Sequence, residues 1–149
     1  SQNVVEGLEL LARSTGIEPE FLEIGKQTWE EATSETITLL KKLIEDEKFH
    51  PSQITLLVPH GSDIKEIKNA KYSNTKSIEG LGVNISSVFQ FKGLENDIVV
   101  FLIPNFQSLE ATYTRNPLNL VYVGISRAKY LLYVVGSGEV KKLINWDKS

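Results

Sequence analysis

Apolar residues recur along this 149-residue chain in two rhythms. Three short runs, Ile54–Val58, 97–103 and 130–135, are apolar at almost every position. A strand with no polar face is covered on both sides, which is the condition of a parallel sheet lying between helix layers. Glu20–Ile24 and the more mixed segment 84–88 read as two further strands. Elsewhere apolar residues return at three- and four-residue steps, which predicts helices over 4–12, ending near Gly16, over 29–48 with a stripe of Ala32, Ile37, Leu40, Leu43 and Ile44, and over 138–146. A further helix is predicted over 117–129, capped by Asn116 and opened by Pro117. The turn Pro59-His60-Gly61-Ser62 precedes a short helix expected over 64–71, with Ser62 or Asp63 as its cap. Residues 71–82 are polar and punctuated by glycine, so a loop or hairpin is expected there, with a turn over 89–96 and an irregular connection over 104–115. Strands alternating with helices imply a single three-layer α/β domain with a mostly parallel sheet, to which residues 1–19 add a peripheral helix. Ligands in such sheets sit at the carboxyl ends of the strands, where the turn 89–96 is expected to fall.

The helix expected over 117–129 divides into two faces. Leu118, Val121, Tyr122, Ile125 and Ala128 share one and read as core, while Leu120, Val123, Gly124 and Arg127 share the other. That second face sets one guanidinium among small and apolar neighbours, as expected of a face that meets another domain and carries a fixed charge into the seam. On the helix alone, the plainer reading is an arginine that salt-bridges within its own domain.

Composition narrows the chemistry. Cysteine and methionine are absent and the two histidines are isolated, so no disulfide, thiolate metal site or histidine ligand spacing exists, and no metal site is expected. No apolar run approaches the ~20 residues of a membrane helix, and an export signal is not recognisable, so a cytoplasmic protein without membrane contact is expected. The absence of methionine reads as a piece of something longer. The net charge of −3 is uneven: the first fifty residues carry eleven acidic and five basic side chains, the rest eight acidic and eleven basic. An anionic ligand would be met by the second half, although the excess there is too small for strong autonomous nucleic-acid binding.

Between two of the strands lies Gln90-Phe91-Lys92-Gly93-Leu94-Glu95. Gly93 permits close backbone approach, Lys92 offers a point charge, and Glu95 an acceptor suited to a sugar hydroxyl. Taken alone, those three residues read as an ordinary turn. The whole stretch Ser86-Ser87-Val88-Phe89-Gln90-Phe91-Lys92-Gly93-Leu94-Glu95, followed by an apolar strand, and then Leu120-Val121-Tyr122-Val123-Gly124-Ile125-Ser126-Arg127-Ala128-Lys129, followed by another, resembles motifs V and VI of superfamily 1 helicases of the UvrD/Rep type. The resemblance implies the second RecA-like motor domain of an ATP-dependent DNA helicase, a P-loop NTPase-type fold here without the phosphate loop. In that family ATP with Mg2+ lies between this domain and an N-terminal RecA-like domain of the same parent chain. By resemblance Arg127 is the catalytic arginine finger reaching the γ-phosphate, Glu95 contacts the ribose, and Gly93 and Lys92 lie beside the phosphates. Ser87, Phe89 and Gln90 fall on the single-stranded DNA track. Phe89 would stack on a base, or else pack beneath the turn.

Three departures limit what the resemblance carries. No Gly-x-x-x-x-Gly-Lys-Ser/Thr loop or acidic strand end suited to magnesium occurs, so no turnover and no tight nucleotide binding are expected of this chain alone. Val58 and Pro59 stand where the aromatic-arginine pair of motif IV belongs, with His60 a poor substitute. Only about two dozen residues separate that strand from Asn84, too few for the accessory domain many relatives insert. A degenerate helicase-like domain that serves as a protein-interaction or regulatory module is therefore the alternative. A free-standing nucleotide-binding or transferase domain would need a phosphate loop that is absent.

Overall fold

The computed structural model describes residues 3–110 and 116–148. Five strands, β1 (Glu20–Ile24), β2 (Ile54–Val58), β5 (Asn84–Ser87), β6 (Asn96–Ile103) and β7 (Ala128–Ser137), form one sheet in the order β1-β7-β6-β2-β5 with every neighbour parallel. A separate two-stranded hairpin, β3 (Lys71–Ser73) and β4 (Lys76–Ser77), occupies the stretch expected to be a loop or hairpin.

The continuous apolar runs explain the layering. In β6, Ile98, Val100 and Leu102 point to one side and Val99, Phe101 and Ile103 to the other, so one strand feeds two cores. The first set packs with α2 (Trp29–Lys41) through Ala32, Leu39 and Leu40. The second packs with α1 (Val4–Thr15), α3 (Pro117–Ile125) and α4 (Gly138–Leu143) through Val4, Leu8, Val121, Ile125 and Val140. Fully buried Leu56, Leu57, Ile98, Phe101 and Val134 make the sheet the centre of the molecule. Among the described residues no helix is long and apolar enough to cross a membrane.

Local chemistry sets the helix ends. The Asn3 side chain accepts from Glu6 N and the Thr28 hydroxyl from Glu31 N, and α1 stops at Gly16 in the left-handed region. Four boundaries differ from those the sequence predicts. The helix expected over 29–48 leaves α-geometry after Lys41 and continues as a π-helical turn, Lys42–Asp46. The helix expected over 64–71 is a 3₁₀ turn, Gly61–Glu66, and its cap is His60, whose backbone N–H donates to the Asp63 carboxylate at 3.0 Å. The helix expected to reach residue 129 stops at Ile125, because Ala128 is already registered against Asn96 as the first residue of β7. The last helix likewise stops at Leu143 and gives way to the 3₁₀ turn Trp146–Lys148. Of the irregular connection expected over 104–115, Phe106–Leu109 forms a 3₁₀ turn, and 111–115 lie outside the described residues.

Candidate functional site

The segment joining β5 to β6 must carry the chain from the carboxyl end of one parallel strand to the amino end of another, with β2 between them. It does so in a short crossover of tight turns. Phe91 N donates to Ser87 O at 3.0 Å, Lys92 N to Phe89 O at 3.2 Å and Leu94 N to Phe91 O at 3.0 Å. The Ser87 hydroxyl accepts from Gln90 N at 3.2 Å, and the Gln90 side-chain oxygen accepts from Ser87 N at 3.4 Å. Phe91 anchors the crossover at 4% exposure, whereas Phe89 stands 71% exposed, so the ring packed beneath the turn is Phe91 and not Phe89. Gly93 has φ +79°, and a Cβ there would meet nothing within 4 Å. Glycine is suited to this position by the backbone conformation and not by crowding.

Only the start of the crossover lies at the carboxyl ends of the strands, where Val88 N bonds Val58 O. Its far end is at the amino ends, fixed by the bond from Asn96 N to Arg127 O at 3.0 Å. The expectation that the whole turn 89–96 sits at the carboxyl ends is corrected accordingly: an eight-residue link between parallel strands has to traverse the sheet.

Helix α3 lies beside this crossover and runs opposite to the strands. The Asn116 side chain accepts from Leu118 N at 2.9 Å with Pro117 in the first turn, as the sequence predicts. Val121, Gly124 and Ile125 face the sheet. Gly124 is therefore a core position, contrary to the outward face expected for it. A Cβ there would come within 2.2 Å of Phe101 Cε2, so the missing side chain is what lets the helix approach β6. Leu120, Val123 and Arg127 do share the outer flank, together with Asn119.

Between that flank and the crossover runs an open groove of about 450 Å³, lined by Pro59, His60, Val88, Phe89 and Lys92 on one side and by Asn116, Asn119, Leu120, Val123 and Arg127 on the other. Arg127 folds back along its helix. Its Nε donates to Val123 O at 3.2 Å and its Nη1 to Leu94 O at 3.3 Å, tying the last turn of α3 to the crossover. No carboxylate pairs with it: among the described residues the ion pair found is Lys141–Asp147 at 3.4 Å. Arg127 thus makes no salt bridge of the kind the plainer reading supposes; its intradomain partners are carbonyl oxygens. Next to the groove residue His60, burial raises the Asp63 carboxyl above its ordinary range, against the lowering effect of the His60 N–H bond and the His60 charge.

The structure brings Arg127, Lys92 and Phe89 into one groove. Gly93 and Glu95 are exposed on the crossover outside it, Gln90 is exposed at its start, and Ser87 is buried with its hydroxyl engaged in the turn. Asn119 is a groove residue the sequence reading passed over. The signal available was the four-residue step from Arg127 through Val123 to Asn119, which keeps one line along a helix. Among the described residues no group of three His, Asp or Glu side chains is placed to hold a metal ion.

Residues 82–135, which contain the crossover, α3 and strands β5 and β6, match the family described as the UvrD-like helicase C-terminal domain. No curated protein matches the chain in sequence. Among solved structures, the C-terminal domain of a possible DNA helicase from Lactobacillus plantarum WCFS1 superposes with a TM-score of 0.62 at 16% identity, covering 93% of this chain and 86% of that one. Residues 82–135 thus carry the signature of a UvrD-like helicase C-terminal domain, the chain as a whole has an α/β fold of the RecA-like kind shared with that structure, and the groove is built largely from the matched stretch.

Proposed function

We propose that this chain is the second motor domain of an ATP-dependent DNA helicase or translocase, completing an ATP site shared with an N-terminal RecA-like domain and forming part of a single-stranded DNA track. The observation that carries this reading is the groove, in which Arg127 has no carboxylate partner among the described residues, Lys92 lines the same groove, and Pro59, Val88, Leu120 and Val123 give it apolar lining. A guanidinium has five N–H donors. Two of those on Arg127 are engaged by carbonyl oxygens, which aims the group and leaves the others for a phosphate. Charge developing on a transferred phosphoryl group is stabilised by such an arginine, typically by ~10³–10⁵ in rate. Lys92 adds a mobile point charge, Glu95 an exposed acceptor for a ribose hydroxyl, and Gly93 an open backbone beside the phosphates. Toward the single strand, the exposed Phe89 ring offers a stacking platform and Gln90 an amide, while Ser87 shapes the turn from within.

These residues fit half of a site. The phosphate cradle and the Mg2+ ligands fall to the N-terminal domain, so on this reading the chain by itself binds ATP weakly and turns none over. A second reading, a degenerate domain kept as an interaction module, is favoured by one observation: at the end of β2, Val58 and Pro59 are buried and present no aromatic-arginine pair to the groove. ATP turnover by the parent protein, with and without single-stranded DNA, separates the two. Stimulated turnover supports the motor; no turnover in either condition supports the module.

A further inference from the structure

The stretch 65–76 concentrates positive charge in a chain that is net negative. Lys65, Lys68, Lys71 and Lys76 face a single acid, Glu66. The later part of it is the hairpin β3–β4, with Ser73 opposite Lys76 and Lys71 opposite Ser77. Tyr72 turns inward: its hydroxyl donates to Glu45 at 2.5 Å, and the Lys41 ammonium lies 5.7 Å from its ring centroid. Side chains alternate across a strand, so Lys71 and Ser73 leave by the opposite face. Lys71, Ser73, Asn74, Thr75 and Lys76 are all exposed. Residues 71–76 thus bring two ammonium groups and three exposed neutral hydrogen-bonding side chains without a carboxylate among them, and among the described residues the two lysines form no ion pair.

The hairpin is firmly mounted. Besides the Tyr72–Glu45 bond, Ile78 N donates to Ala70 O at 2.8 Å and Glu79 N to Lys68 O at 3.1 Å. The turn Gly61–Glu66 leads to it directly from His60, a groove residue. Lysine, serine, threonine and asparagine side chains are the groups that bind phosphodiester oxygens and position a protein on nucleic acid without reading sequence.

We propose that the outer face of the β3–β4 hairpin is a second nucleic-acid contact, set apart from the groove, that holds a phosphodiester backbone through Lys71, Lys76 and the Ser73-Asn74-Thr75 tip. The choice of nucleic acid among polyanions rests on the motor-domain reading above; the charge pattern stands on its own. A lysine bound to phosphate releases counterions, so the contact is read in the salt dependence of affinity.

The test is fluorescence anisotropy of labelled oligothymidylate with the 149-residue chain across a salt series, far-UV circular dichroism verifying the fold of each variant. The paired substitution Lys71→Gln and Lys76→Gln is expected to reduce the slope of log K against log salt by about 1.4, at ~0.7 for each single-strand phosphate contact. Lys26→Gln with Lys142→Gln, exposed lysines outside the hairpin, is expected to leave the slope unchanged. Phe89→Ala is expected to weaken binding at constant slope, so a failure of the groove reading shows there and leaves the hairpin result intact. Equal slopes for the wild type and the Lys71/Lys76 variant would overturn the proposal. So would no oligonucleotide binding at the lowest salt, or tighter binding to phosphatidylserine vesicles than to oligonucleotide that the same variant abolishes.

Discussion

Replacing Gly124 by alanine tests how closely α3, the helix that leads to Arg127, is pressed onto the sheet. The added methyl carbon would lie 2.2 Å from Phe101 Cε2, 2.8 Å from Cδ2 and 2.9 Å from Cζ. Carbon atoms normally approach to ~3.5–4.0 Å, so at least one contact is short by more than ~1 Å. Phe101 is fully buried in β6 and has nowhere to swing without disturbing Val121, Ile125 or Val134. Overpacking of this kind costs ~1–3 kcal/mol, and the severity of the clash puts this case near the top of that range. Alanine returns about 1 kcal/mol over glycine in a helix interior, leaving a net loss of about 2 kcal/mol. In urea denaturation with a slope near 2 kcal/mol per molar, the midpoint should fall by about 1 M. Shortening Phe101 to leucine should restore part of the loss, with the two changes coupled by ~0.5–3 kcal/mol. A Gly124→Ala midpoint equal to or above that of the wild type would refute the packing argument, and with it the account of how α3 is held against the sheet.

Arg127→Ala in the isolated chain removes the bonds to Val123 O and Leu94 O and should lower stability by about 1 kcal/mol, measured by the same urea titration; a loss of several kcal/mol would mark the arginine as a structural tie rather than an aimed side chain. In alkaline titration at 295 nm, Tyr72 and Tyr133 should titrate late, at about 12, both chiefly through burial, with the Glu45 bond adding to the shift at Tyr72 and the Glu20 charge at Tyr133. Because the folded value lies above the unfolded one near 10, each tyrosine's contribution to stability is complete below pH 10 and is lost as pH rises through about 12, and Tyr72→Phe should remove one late step from the curve.

What was legible in the sequence follows from what each segment owes to its neighbours. The runs Ile54–Val58 and 97–103 declare themselves as strands, because two-sided burial demands continuous apolar character. The end of α3 did not, because Ser126-Arg127-Ala128-Lys129 has acceptable helical propensity and only pairing with β6 draws it into β7. Gly124 lies near the border of the two helix faces, and the choice between them depends on Phe101 in a different strand. The passage of the crossover from carboxyl to amino ends depends on strand order, which no local pattern encodes. Hence Lys92 and Arg127 could be named from the sequence, but their shared groove with Phe89, and the separation of Glu95 from it, could not.

The most direct test of the central claim is steady-state ATP turnover by Arg127→Ala in the parent protein joined to its N-terminal domain, with saturating single-stranded DNA. An arginine that acts on charge developing in the transition state predicts a fall in kcat of ~10³ or more with little change in KM, and Glu95→Ala, a ribose contact alike in ground and transition states, should raise KM with a smaller fall in kcat. An Arg127→Ala protein that retains wild-type kcat would contradict the account.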